Sequence, residues 1–149
     1  MSWFYKGKEI KDISHFPENT FGFVYRIFHI PSGRAYIGKK VLYHNRKTKL
    51  TKKDLALYEG QPGRKPTYKV VVKESDCKTY CGSNKTLLEL IKIEPEKNFM
   101  KYIILFSPSK KLLTYYETKY LFIHEVLEKP DEYFNDNIQG RFYTKDFDS

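Results

Sequence analysis

The chain has 149 residues, 27 Lys and Arg against 18 Asp and Glu, a formal charge of +9, and 13 Tyr with 11 Phe. A chain of this length buries roughly two-thirds of the surface its unfolded form exposes, so one core can form without disulfides or a structural metal, and the aromatic load excludes a disordered chain. No apolar run exceeds about five residues, far short of the roughly 18 of a membrane span, and the start lacks the apolar stretch of a signal peptide, so a cytosolic protein with no membrane partner is expected.

In chain order, Phe21 to Ile30 (FGFVYRIFHI) is rich in β-branched and aromatic residues, Pro31-Ser32-Gly33 supplies turn chemistry, and Ala35 to Leu42 resumes a strand, which predicts a β-hairpin. Tyr43 to Thr67 turns basic and polar, with Gly60, Pro62, Gly63 and Pro66 marking a loop in which Thr51 caps one or two helical turns. Tyr68 to Val72 reads as a third strand. Cys77 and Cys81 read as a reduced pair, because His15, His29, His44 and His124 are scattered singly and supply no second ligand pair for zinc. Ser83 or Asn84 caps a helix through Ile93 that Pro95 stops, and Phe99 to Phe106 is the most apolar strand, expected at the sheet centre. A second long helix runs from Ser109 to about Glu128, with Leu113, Tyr116, Tyr120, Ile123 and Leu127 as its buried stripe. These elements make one α+β domain.

The net charge is concentrated. Residues 33–73 hold twelve basic residues against Asp54 and Glu59, while 1–32, 74–105 and 106–149 carry +1, 0 and −2. A basic block interleaved with aromatics is the footprint of a polyanion partner, since neutralised phosphates release counterions. Lys39, Lys40, Lys47, Lys49, Lys52, Lys53, Arg64 and Lys65 are the candidate DNA-binding residues.

Across the hairpin, Tyr25 ends Phe23-Val24-Tyr25 and Tyr36 opens Tyr36-Ile37-Gly38. Side chains alternate along a strand, so the two tyrosines share a face only if facing residues sum to an odd number, which an even loop such as Ile30 to Gly33 provides. Arg46 follows ten residues after Tyr36, and Tyr80, Gly82 and Ser83, then Glu117, then Asn135 and Asn137 come later. In this order and spacing the sequence resembles the GIY-YIG nuclease family over nearly its whole length, most closely its small bacteriophage-encoded members, for which a host-cell cytoplasmic location would follow. It departs in having Phe-Val-Tyr, preceded by Gly22, for Gly-Ile-Tyr.

The resemblance implies a GIY-YIG-like α+β domain over residues 1–149, with a small, mostly antiparallel central sheet opened by the hairpin and flanked by helices, and a basic insert at about 43–67. It implies a homing-endonuclease-like activity, hydrolysis of phosphodiester bonds in double-stranded DNA with Mg2+ or Mn2+. Tyr25 would activate or orient the attacking water. A free phenol titrates near 10, so activation requires a cation to lower that value, with Lys39, Lys40 and His44 as the available neighbours. Tyr36 and Arg46 would hold the phosphate, the guanidinium matching its oxygens bidentately. His44 would shuttle a proton.

On the helix, Glu117 lies about 60° round from Tyr120, on the shoulder of the apolar stripe and without a helical cation partner. The resemblance makes it the single metal ligand. Asn137, rather than Asn135, is matched to the family's late asparagine on the look of Asn-Ile-Gln-Gly-Arg-Phe. The alternative reading is a catalytically inactive or RNA-directed nucleic-acid-binding module that uses the basic 33–73 segment. Any target preference must come from the insert, the tail, a dimer or a partner.

Overall fold

A computed structural model describes residues 1–148. It resolves into two compact units, residues 1–42 with 76–149, and Tyr43–Ser75.

The first unit is built on a five-stranded sheet. Two short strands, β1 (Trp3–Tyr5) and β2 (Lys8–Ile10), precede the expected hairpin of β3 (Gly22–His29) and β4 (Arg34–Val41). In the second unit, β5 (Tyr43–Lys49), helix α1 (Lys52–Ala56) and β6 (Tyr68–Glu74) follow. The chain then returns through α2 (Lys85–Ile93), β7 (Phe99–Ser107) and α3 (Lys110–Ile123), and ends in the small ladder of β8 (Asn137–Ile138) and β9 (Phe142–Tyr143). The sheet order is β2-β1-β7-β3-β4, so the apolar β7 is central as its sequence predicts. Every pairing is antiparallel except β1 with β7. The Trp3–Ile10 hairpin had no signal in the sequence, because strands of three residues show no period; Trp3 holds it in place by donating from its indole nitrogen to the Cys77 carbonyl at 2.6 Å.

Alternation along β3 sorts two cores. Phe23, Tyr25 and Ile27 pack with Trp3, Leu87, Phe99, Ile103 and Phe134 on one side, while Val24 packs with Ile37, Leu113, Leu121, Val126 and Leu127 on the other. Asn84 caps α2 by accepting from the Leu87 amide at 3.0 Å, and its own amide donates to the Phe134 carbonyl at 2.8 Å. Ser109 caps α3.

Two sequence expectations need correction here. The helix α3 stops at Ile123, because Glu125 turns the backbone to φ 52°, so Val126 and Leu127 enter the core from a loop. Its buried side chains are Leu113 and Leu121; Tyr116, Tyr120 and Glu117 are half-buried, the two tyrosines packing against the core as expected, and Ile123 is exposed. The Tyr43–Thr67 stretch also contains a strand, β5, whose polar sequence YHNRKTK hides it, because neither of its faces meets a core.

The outer edge of β4 carries backbone groups with no neighbouring strand. At Ala35 they pair with the tail backbone, Ala35 donating to the Glu132 carbonyl and accepting from Phe134, both at 2.8 Å. At Ile37 they pair with one side chain, Asn135, which accepts from the Ile37 amide at 3.0 Å and donates to its carbonyl at 2.8 Å. Asn135→Ala leaves both groups buried without partners, and a loss of about 2–3 kcal/mol in unfolding free energy is expected from urea titration.

Candidate active site

In the hairpin, Tyr25 faces Gly38 and Tyr36 faces Ile27, the odd-sum register that puts both tyrosines on one face. Their ring centroids stand 6.2 Å apart, and Tyr80 meets Tyr25 edge-on at 6.0 Å. The glycines of the motif are spacers. A Cβ on Gly38 would lie 2.5 Å from the Tyr25 hydroxyl, and one on Gly82, which holds φ +86°, would lie 3.1 Å from the Tyr36 ring.

Tyr36, Ser83, Glu117, Asn135, Asp136, Asn137 and Gln139 line a polar cleft of about 160 Å³, with Ile37 and Leu121 completing its wall. The Tyr36 hydroxyl shares a hydrogen bond with Ser83 at 3.1 Å. Asn135 is buried against the sheet edge as described, whereas Asn137 is exposed, its carbonyl oxygen accepting from the Gly140 amide at 3.1 Å and its amide donating to Asp136 at 2.8 Å. Asp136 and Gln139 escaped the sequence reading; the run Asn135-Asp136-Asn137 was its only signal.

Glu117 is half-buried on α3, on the flank of the apolar stripe between Leu113 and Leu121. Burial pushes its carboxyl above the ordinary value, while the Lys39 ammonium and the Lys39 backbone N–H, which donates to the carboxylate, act in the opposite direction. The compensation that its helix lacks thus comes from β4. Lys39 also donates to the Thr114 hydroxyl at 2.8 Å. Lys40 pairs with Asp76 at 2.6 Å and lies over the Tyr80 ring at 3.9 Å.

Tyr25 is 1% exposed, and burial, reinforced by Tyr36, Tyr80 and Glu117, pushes its phenol well above 10. Burial is also the main influence on Tyr36, raising it, with the Ser83 hydrogen bond working against the rise. No cation lowers the Tyr25 phenol: the surroundings favour the neutral hydroxyl. His44 and Arg46 both stand exposed on β5, in the second unit.

The fold and the cleft together define a nuclease domain. The family model described as "Putative endonuclease segE, GIY-YIG domain" matches residues 3–138, and the chain belongs to the GIY-YIG endonuclease family, whose members are phosphodiester hydrolases. Comparison with curated proteins and with solved structures gives no match. Among the described residues no helix is long and apolar enough to cross a membrane.

The raised Glu117 carboxyl has a thermodynamic consequence. The folded chain holds this proton more tightly than the unfolded chain, so the contribution of Glu117 to stability falls as pH rises through the interval between the two values. Glu117→Gln is expected to melt above the native protein near pH 7, with the difference shrinking toward about pH 4, where both carboxyls are protonated. Thermal melts at several pH values measure it.

Proposed function

We propose that the protein is a divalent-metal-dependent endonuclease that hydrolyses phosphodiester bonds of double-stranded DNA, with the Tyr43–Ser75 unit as an insert in a single nuclease domain. The supporting observation is Glu117, a carboxylate set between Leu113 and Leu121 yet lining a cleft whose other polar groups are hydroxyl, amide and carboxyl groups. The donor set fits Mg2+ or Mn2+: it offers hard oxygens, with no thiol or imidazole in the cleft. Among the described residues no three His, Cys, Asp or Glu cluster, so on this reading the ion is held by one carboxylate, waters and substrate. When bound by Glu117, the cation would supply electrostatic stabilisation of the phosphate and of the leaving oxygen.

The chain's own residues divide the remaining work. The Tyr36 hydroxyl, oriented by Ser83, donates to a non-bridging phosphate oxygen, and Arg46, on the second unit, is assigned to phosphate through its guanidinium fork. Tyr25 is a positioning residue: neutral and beneath the surface, it sets the Tyr36 ring and the hydroxyl network that orients the attacking water, and does not take its proton. His44 serves as the proton shuttle. Asn137, at the exposed rim, contacts the substrate, and Asn135 holds β4 so that Tyr36 keeps its place. Lys39 offsets part of the burial penalty on the Glu117 carboxylate.

Incubation with supercoiled plasmid is expected to give nicked or linear product with Mg2+ and none with EDTA. Glu117→Gln and Arg46→Ala should each lose about 100-fold or more in rate while still shifting DNA in a gel, and cutting by Glu117→Gln at the native rate would refute the assignment. Lys52 and Lys53, on the exposed start of α1, are assigned to phosphates. Replacing both by Ala should reduce the slope of log affinity against log salt by about 2 and weaken all duplexes alike.

A further inference from the structure

The Tyr43–Ser75 unit is an antiparallel ribbon of seven residue pairs, Tyr43 with Glu74 through Lys49 with Tyr68, and directly opposed residues share a face. One face carries His44, Arg46 and Thr48 with Lys69, Val71 and Lys73. The helix α1 is anchored to it, because Asp54 pairs with Lys69 at 2.8 Å, which helps hold the Asp54 carboxyl down at about 2. The other face is open. It sets Asn45 beside Val72, Lys47 beside Val70 and Lys49 beside Tyr68, with Glu74 at its end opposite Tyr43. Tyr68, Val70 and Val72 are 58%, 61% and 62% exposed, so within this unit nothing covers them.

Two adjacent cross-strand pairs on the open face, Asn45 with Val72 and Lys47 with Val70, each join a hydrogen-bonding side chain to an aliphatic one. Those are the two chemistries that distinguish base edges in the major groove: Asn matches the N6 and N7 of adenine, Lys the O6 and N7 of guanine, and apolar groups the thymine methyl. The dimensions also agree. Seven residues of ribbon extend about 23 Å, and the major groove, about 12 Å wide, admits two paired strands. The lysines supply the charge that the polyanion requires, whereas a protein partner would need an acidic, apolar surface.

From this juxtaposition we propose that the β5–β6 ribbon inserts its Asn45, Lys47, Val70 and Val72 face into the major groove of duplex DNA and gives the enzyme sequence preference. The inference rests on the endonuclease reading and adds to it a specificity element distinct from the cutting cleft. Lys52 and Lys53 act on the phosphate backbone and carry no sequence information.

The test uses the full chain carrying Glu117→Gln, in EDTA so that DNA stays intact. It is incubated with a pool of randomised duplexes, and the bound fraction is sequenced. A short enriched motif is expected. Asn45→Ala and Lys47→Ala should each relax one position of it by about tenfold, and Val70→Thr should relax a thymine position. All three sites are exposed, and retained affinity for unselected duplex verifies the fold of each variant. Methyl green, a major-groove ligand, should displace the protein, whereas distamycin, a minor-groove ligand, should not.

Displacement by distamycin alone overturns the inference. So does an unenriched pool, a motif that survives all three substitutions, or a second copy of the chain held through Val70 and Val72 in place of DNA, as sedimentation would show. If plasmid is still cut in any of these cases, the endonuclease reading stands and only the ribbon assignment falls. A native chain that neither binds nor cuts duplex DNA removes both.

Discussion

The unpaired outer edge of β4 is the constraint on which the nuclease unit depends. An edge strand presents alternate backbone groups that need partners, and here each successive outward residue receives a different one: tail backbone at Ala35, the Asn135 side chain at Ile37, and the Glu117 carboxylate at Lys39. A single structural need thus brings the tail, the hairpin and α3 to one line. Tyr36 stands on that same strand, so closing the edge and assembling the cleft are one event. The burial of Glu117 follows as well, since a carboxylate that must reach a strand amide from a packed helix has to pass between Leu113 and Leu121.

The sequence legibly carried the hairpin, its odd-sum register, the helix starts at Ser83 or Asn84 and after Ser109, and the central β7, because local turn, capping and apolar patterns specify them. The tyrosine pair was legible for the same reason, its geometry depending on one four-residue loop. Glu117 was legible as a residue but not in its setting. The 100° periodicity gave its place beside the half-buried Tyr116 and Tyr120, but it overran the helix end at Ile123 and could not show the Lys39 backbone N–H that Glu117 meets, because that partner lies on a distant strand. The distinction between Asn135 and Asn137 was illegible, since which of two near-adjacent amides reaches the sheet is set by contacts 98 residues away in sequence. The β5 strand was hidden because a ribbon with no core beneath it has no reason to alternate apolar and polar residues.

The second unit changes what the charge means. Read along the chain, residues 33–73 form a single basic block. Read on the fold, Lys39 and Lys40 belong to the nuclease unit and are engaged by Thr114 and Asp76, while the ribbon cations divide between two faces of opposite character. Composition located the charge; cross-strand register separates a face held by α1 from one left open with amide, ammonium and alkyl groups.

The bonds between Asn135 and Ile37 also bear on the life of the chain before it is finished. Synthesis proceeds from the N-terminus, so both motif tyrosines, the ribbon and Glu117 leave the ribosome before Asn135 does. Until that residue emerges, the edge of β4 has no amide to close it and the cleft lacks one wall. A nascent chain therefore holds both motif tyrosines and Glu117 before the bonds that close the edge of β4 can form.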